Sequence, residues 1–230
     1  MTVALIVAAG KGTRMGPEID KLFLELNGVP VVAHTWRTFD RAECIKEIVM
    51  VVRDGMQPEF EKLAKKFSLG KQCHFVAGGE KRQDSVWKGL QALPSGSDIV
   101  AIQDAARPCT PAALIEATIQ AAEETGAAVA AQHVTDTIKE SSDGKLIERT
   151  VDRSRLWAVQ TPQTFRLKVI RRALEEVRRR GLTVTDDTAA CELIGQPVRL
   201  VVSTEPNPKV TRPEDLPYIE HLLRNAKSKV

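Results

Sequence analysis

The sequence offers little to metal or redox chemistry. Its four cysteines (Cys44, Cys73, Cys109 and Cys191) are widely scattered, with no Cys-x-x-Cys pair. Neither a disulfide framework nor a zinc site is suggested, and the pattern fits buried or incidental thiols in a reducing compartment. The four histidines (His34, His74, His133 and His221) are scattered too, which argues against a His-based metal site or catalytic dyad. Neither sign of charge dominates. With 33 basic and 30 acidic residues the net charge is +3, too balanced to point to nucleic acid or a membrane surface as partner. No stretch approaches the ~20 apolar residues of a membrane span. No basic segment precedes the first apolar run, which is short and ends in glycine, so a core strand is expected there rather than a signal peptide. Internal repeats and low-complexity segments are also missing.

What is present is a steady alternation of strand and helix patterns over 230 residues, 43% of them hydrophobic. The apolar runs Val3–Ala8, Ile45–Val52, Cys73–Val76, Asp98–Gln103 and Ala127–Val134 read as buried strands. Lys21–Leu26 alternates like a short strand, Asn27-Gly28 is a turn signal, and Val198–Val202 reads as a last core strand. Helices are expected from Pro30 to about Asp40, Pro58 to Phe67, Val86 to about Leu93, Pro111 to Thr125, Leu167 to Arg180 and Thr188 to Ile194, with a final one beginning at Pro213. Such alternation predicts an α/β fold with a mainly parallel sheet. Ligands in such sheets bind beyond the carboxyl ends of the strands. Three polar stretches lie there, after Ala8, after Val76 and after Gln103, and are expected to converge.

The first of these is the most telling. Val3–Ala8 runs into Ala9-Gly10-Lys11-Gly12-Thr13-Arg14-Met15-Gly16, followed by Lys21. Glycines let a backbone approach a ligand closely, and free N–H groups in such a loop bind anions. Two familiar motifs are excluded: a dinucleotide fingerprint requires glycine where Met15 stands, and the Gly-Lys-Ser/Thr of a P-loop is absent. Around the expected site lie many cations (Arg14, Lys21, Arg107, Arg153, Lys209) and few nucleophiles. That balance suits phosphoryl or nucleotidyl transfer, in which catalysis is positioning plus charge stabilisation. Asp104, at a strand end, is the candidate carboxylate for metal or sugar contact.

Thr135 to Arg153 breaks the rhythm. Thr137-Ile138-Lys139, a turn at Ser142-Asp143-Gly144, and Leu146–Val151 read as a hairpin. Its apolar residues need cover, for which a second subunit is the economical candidate.

Further motifs occur in order along nearly the whole chain: Asp84-Ser85-Val86, Asp104-Ala105-Ala106-Arg107-Pro108, Asp136-Thr137-Ile138-Lys139, Thr150-Val151-Asp152-Arg153, Thr161-Pro162-Gln163, Thr185-Asp186-Asp187 and Lys209-Val210-Thr211-Arg212-Pro213-Glu214-Asp215. With the first loop, this ordered set resembles the 2-C-methyl-D-erythritol 4-phosphate cytidylyltransferases of the non-mevalonate isoprenoid pathway, within the nucleotidyltransferases that activate sugar phosphates. The resemblance implies a Rossmann-like three-layer fold, residues 1–230 forming one domain, and a dimerisation arm at about 135–154. It implies CTP and a polyol phosphate as substrates, with Mg2+ or another divalent cation bound with CTP and no identified protein ligand. Ala8, Ala9, Gly10, Gly79, Glu80 and Ser85 are then expected around the cytidine, Glu80 through its backbone because relatives often carry Asp there. Gly12 and Thr13 are expected to hold the triphosphate, and Arg14 and Lys21 to stabilise the α-phosphate. Asp104 and Ala105 come between nucleotide and acceptor. Arg107, Thr161, Thr185 and Lys209 form the acceptor pocket, and Thr137 and Arg153 complete the site of a neighbouring subunit in a homodimer. The catalytic set implied is Arg14, Lys21, Arg153 and Lys209, in the bacterial cytosol.

Alternatives remain open at this level. Another polyol phosphate such as ribitol 5-phosphate presents the same hydroxyls and terminal phosphate. A guanylyl- or adenylyltransferase shares the first loop. A non-catalytic nucleotide-binding protein is disfavoured by the presence of Arg14, Lys21 and Asp104 together.

Overall fold

The computed structural model describes residues 1–10 and 20–227. Its centre is a seven-stranded sheet. β1 (Thr2–Ala8) lies parallel to β4 (Glu47–Val52) on one side and to β6 (Ile99–Asp104) on the other. β5 (Cys73–Ala77) extends the β4 side in parallel. Beyond β6 comes β10 (Trp157–Arg166), antiparallel to both β6 and β7 (Ala127–His133), and β11 (Arg199–Val202) pairs in parallel with β7 at the far edge. The order is thus β11-β7-β10-β6-β1-β4-β5. β1, β4 and β6 are near-continuous apolar runs because helices cover both faces.

The pleat divides β1 between two cores. Ala4, Ile6 and Ala8 meet α1 (Val31–Arg41), α2 (Gln57–Lys66), α4 (Ala112–Thr125) and α7 (Asp215–Lys227), with Trp36, Phe39 and Phe60 filling the centre. Val3 and Leu5 meet α3 (Arg82–Gln91), α5 (Leu167–Arg179) and α6 (Asp187–Glu192). The result is a three-layer α/β fold with a mainly parallel sheet, as the strand and helix pattern predicts.

Four expectations need correction. Lys21–Leu26 is mostly turn; only Glu25–Leu26 (β2) pairs, with Val29–Pro30 (β3), across Asn27 and Gly28, both at positive φ. The stretch expected as a last core strand is a partly exposed edge, with Leu200 and Val202 facing outward. α3 starts four residues before Val86, at Arg82, because Lys81 N–H donates to Asp84 and caps it. β10 is absent from the sequence reading altogether: Pro162 and the polar Thr161, Gln163 and Thr164 disguise a buried strand. Pro162, joined to Thr161 by a cis peptide, sits where the pairing with β7 shifts register, so its missing N–H breaks no ladder bond there.

The expected hairpin pairs as β8 (Ile138–Glu140) with β9 (Arg149–Val151), a two-stranded sheet apart from the main one. Residues 139–150 are all exposed.

Candidate active site

In the sheet β5-β4-β1-β6 the chain runs from β1 out to β4 and β5 on one side and then returns to β6 on the other, which makes the carboxyl end of β1 a topological switch point. Val7 pairs with Asp104, so the loops leaving β1 and β6 start side by side, and Ala105 N–H donates to Val7 O at 3.1 Å. There a cleft of about 150 Å³ is lined by Val7 to Gly10, Lys21, Leu22, Gly79 to Arg82, Ser85, Asp104 to Ala106 and Lys209. The polar stretches after Val76 and Gln103 converge here with Ala9 and Gly10, the described start of the stretch after Ala8, and the approach to α3 supplies one wall. That wall is shaped by close packing. A Cβ on Gly78 would lie 2.3 Å from Ala9 Cβ, and one on Gly79 2.4 Å from Asp84 Cβ. Glycine is required by space at both positions. Ser85 is buried; its hydroxyl accepts from Gly79 N–H at 3.1 Å and donates to Lys81 O at 3.2 Å, which fixes the loop.

The far wall comes from the segment before α7. Val210 N–H donates to Ala106 O at 2.8 Å, and Lys21 Nζ donates to Val210 O at 2.8 Å. Asn207 is buried: it accepts from Thr110 Oγ1 and from Arg107 Nη1 and donates to Thr161 O. These bonds deliver Lys209 to Asp104, with Nζ 2.7 Å from Oδ2. Arg82 Nε lies 3.3 Å from Asp104 Oδ1, and Arg107 Nε 3.7 Å from Oδ2. Burial opposes the charge on Asp104, but Arg82, Lys209 and Arg107 outweigh it and hold the carboxyl well below the usual range. Asp104 is therefore an anion that organises three cations. Behind it, Arg82 Nη1 also lies 2.8 Å from Asp187 Oδ2. Burial pushes the Asp187 carboxyl up despite that contact, and burial lowers Arg107 despite Asp104.

Of the expected site residues, the cleft thus gathers Ala8, Ala9, Gly10, Lys21, Gly79, Glu80, Ser85, Asp104, Ala105 and Lys209. Arg107 stands beside Asp104, outside the lining. Thr161 is buried behind the cleft, its hydroxyl accepting from Asp104 N–H at 3.1 Å. Thr185 is exposed just before α6. Thr137 and Arg153 are exposed at the base of the hairpin, where Arg153 donates to Thr135 O. Gly12, Thr13 and Arg14 lie outside the described residues. The stems of that segment are tied by Arg53, past β4, which donates to Gly10 O at 3.4 Å and pairs with Asp20.

The sequence reading missed Arg82, Asn207 and Asp187 as site-forming residues. A signal existed for the last. One acid suffices to cap α6, and Asp186 does so by accepting from Ala189 N–H. The second acid, Asp187, is turned inward to the ion network. Among the described residues no group of three or more His, Cys, Asp and Glu surrounds a possible metal position, and no helix is long and apolar enough to cross a membrane.

A family model, IspD or 2-C-methyl-D-erythritol 4-phosphate cytidylyltransferase, matches residues 2–225. A protein of that name from Geobacillus kaustophilus is 44% identical over 220 residues, covering 96% of each chain. Another, from Pelotomaculum thermopropionicum, is 40% identical over 222 residues, covering 96% of this chain and 93% of the relative. Among solved structures, 4-diphosphocytidyl-2C-methyl-D-erythritol synthase from Anaerococcus prevotii superposes with a TM-score of 0.85 at 29% identity, covering 97% of this chain and 96% of the other. The Thermus thermophilus 2-C-methyl-D-erythritol 4-phosphate cytidylyltransferase superposes at 0.80 with 31% identity, covering 97% and 100%. The chain belongs to the 2-C-methyl-D-erythritol 4-phosphate cytidylyltransferase family.

Proposed function

We propose that this chain transfers CMP from CTP to 2-C-methyl-D-erythritol 4-phosphate, giving 4-diphosphocytidyl-2-C-methyl-D-erythritol and pyrophosphate, in the non-mevalonate route to isoprenoid precursors. The observation that carries this reading is the cleft at the ends of β1 and β6, which Lys21, Asp104 and Lys209 line together, in a chain matched to one family from residue 2 to residue 225. An oxygen of the acceptor phosphate forms a bond to the α-phosphorus. The bond from that phosphorus to the β-bridging oxygen breaks, and its electron pair leaves with pyrophosphate. The acceptor phosphate, with a second pKa of about 6, is already largely ionised near neutral pH, so no general base is required. The task is to bring two polyanions together, which suits preorganised cations.

In this reading Ala8, Ala9, Gly10, Gly79, Glu80 and Ser85 surround the cytidine, Gly12 and Thr13 the triphosphate, and Lys21 and Arg14 the α-phosphate. Asp104 and Ala105 separate nucleotide from acceptor. Lys209, Arg107, Thr161 and Thr185 serve the acceptor side. Thr161, being buried, acts through the Asp104 backbone. A divalent cation, magnesium by preference, arrives with CTP. Arg82 and Lys209 already face the two Asp104 oxygens, so the donor set fits a cation held mainly by phosphate oxygens, as magnesium commonly is. Such an ion, when bound, neutralises charge on the leaving pyrophosphate.

The reading takes residues 1–230 as one domain whose arm, about 135–154, pairs two subunits, with Thr137 and Arg153 serving the partner's site. Leu146 and Ile147, 73% and 66% exposed, support an interface there. Four free thiols fit a reducing cytosol. The test is pyrophosphate release with CTP, magnesium and methylerythritol phosphate, set against ribitol 5-phosphate and against ATP and GTP. Preferred turnover of the first pair is expected; faster release with another acceptor or nucleotide sinks the assignment.

A further inference from the structure

The chemistry above gives Arg82 no task of its own in the transfer. Arg82 lines the cleft, yet its guanidinium is held at both ends, by Asp104 and by Asp187. Asp187 is fully buried, and its backbone N–H donates to Gln163 Oε1 at 3.0 Å. Among the described residues its second oxygen, Oδ1, has no hydrogen-bond partner, and Arg82 is the cation that meets this buried carboxylate. Arg82 is also the first residue of α3, next to the capping contact between Lys81 and Asp84. Both ends of this bridge are anchored in secondary structure. Lys209 is built differently. It meets Asp104 through a single ammonium and keeps 32% of its side-chain surface exposed.

We propose that Arg82 is a positioning residue for the transfer: it holds the buried Asp104 carboxylate in place, so that Lys209 can turn from Asp104 to the acceptor phosphate. Removing a partner from a buried carboxylate is costly when nothing replaces it. Asp104 avoids this, because Arg82 stays hydrogen-bonded to Oδ1 and Arg107 stays within 3.7 Å of Oδ2. The residue types fit the division of labour. A planar guanidinium can serve two carboxylates at once, whereas a lysine ammonium on a flexible stem can change partners. Through Asp187 the same bridge ties the nucleotide wall at α3 to the start of α6, two residues after Thr185. The inference deepens the transferase reading and rests on it for its kinetic test.

Arg82→Lys keeps a cation but cannot span both carboxylates. Its KM for methylerythritol phosphate is expected to rise about tenfold, with the KM for CTP changed by less than about twofold. Because Arg82 acts through Asp104, adding Arg82→Lys to Asp104→Asn is expected to change acceptor kcat/KM by less than about twofold. An unchanged acceptor KM in Arg82→Lys, equal loss for both substrates, or effects that multiply in the double variant overturns the proposal. If Arg82→Lys does not fold, Asp187→Asn is measured instead; it keeps the arginine and releases one end of the bridge. A smaller rise confined to the acceptor KM is expected there, and no rise overturns the proposal. A wild-type protein inactive with CTP and methylerythritol phosphate counts against the transferase reading alone. Crystal structures of the variant then decide the bridge: an Asp104 carboxylate unmoved and still holding Lys209 overturns it.

Discussion

In and just behind the cleft, Asp104 faces three cations, and the buried Ser85, Thr161 and Asn207 are hydrogen-bonded within the chain. In the hairpin, residues 139–150 are exposed and two large apolar side chains face outward. A two-stranded hairpin is marginal without a surface to pack on. The comparison separates two kinds of site building. The cleft is assembled by one chain's own core, whereas the hairpin leaves its large apolar side chains uncovered.

Four measurements break or sharpen that contrast. The largest effect is expected inside the cleft. Lys21→Ala should lower kcat by about 10²-fold or more, the scale of losing one preorganised charge stabiliser. Lys21 also bonds Val210 O, so a melting curve must show that the variant is folded; an unchanged kcat in folded protein refutes the role. The second measurement crosses between the regions. If Arg153 serves the partner's site, Lys21→Ala and Arg153→Ala are each nearly inactive, but random mixed dimers contain one intact site, and mixing should restore about a quarter of wild-type activity. No recovery after demonstrated subunit exchange means that the arm serves its own subunit's site or none.

The third tests how tightly the cleft wall is packed. In Gly78→Ala the new Cβ meets Ala9 Cβ at 2.3 Å and Ser85 Oγ at 3.0 Å, so one wall must move. Loss of about 1–3 kcal/mol of stability is expected, as for other overpacked sites, with a raised KM for CTP. Leu146→Ser, at the exposed arm, should leave monomer stability within about 0.5 kcal/mol, so equal losses in urea melts erase the contrast. The smallest effect concerns pH. The native Asp104 carboxyl lies below its ordinary value, because Arg82, Lys209 and Arg107 outweigh burial. Its contribution to stability is therefore complete above the unfolded-chain pKa of about 3.9 and lost only as pH falls from there through the native value. The stability difference between wild type and Asp104→Asn should stay flat from pH 7 to pH 5 and shrink below about pH 4. A difference that fades near pH 6 means that Asp104 is not held by these cations.

Much of this was legible beforehand, for local reasons. β1, β4 and β6 are continuous apolar runs, and only a strand covered on both faces tolerates such a run. Asn27-Gly28 announced its turn, and the polar stretch after Val76 was expected at the strand ends, where Gly78 and Gly79 pack closely against Ala9 and Asp84. β10 was hidden because its burial is polar: Gln163 and Thr164 look like surface until Asp186, Asp187 and Thr118 are brought to them. β11 looked like core because Leu200, Val201 and Val202 are apolar, but an edge position leaves two of them outward.

The order of motifs along the chain determined the family and the chemistry to look for, and apolar periodicity determined the layers. Partnership was decided only in three dimensions. Arg82 meets Asp187 across 105 positions of sequence, and Lys209 meets Asp104 across the same number. A charged side chain carries no local record of the carboxylate it will face. Hydrophobic pattern is set by the nearest residues along the chain, whereas a buried ion pair exists only once the sheet has brought distant strand ends together.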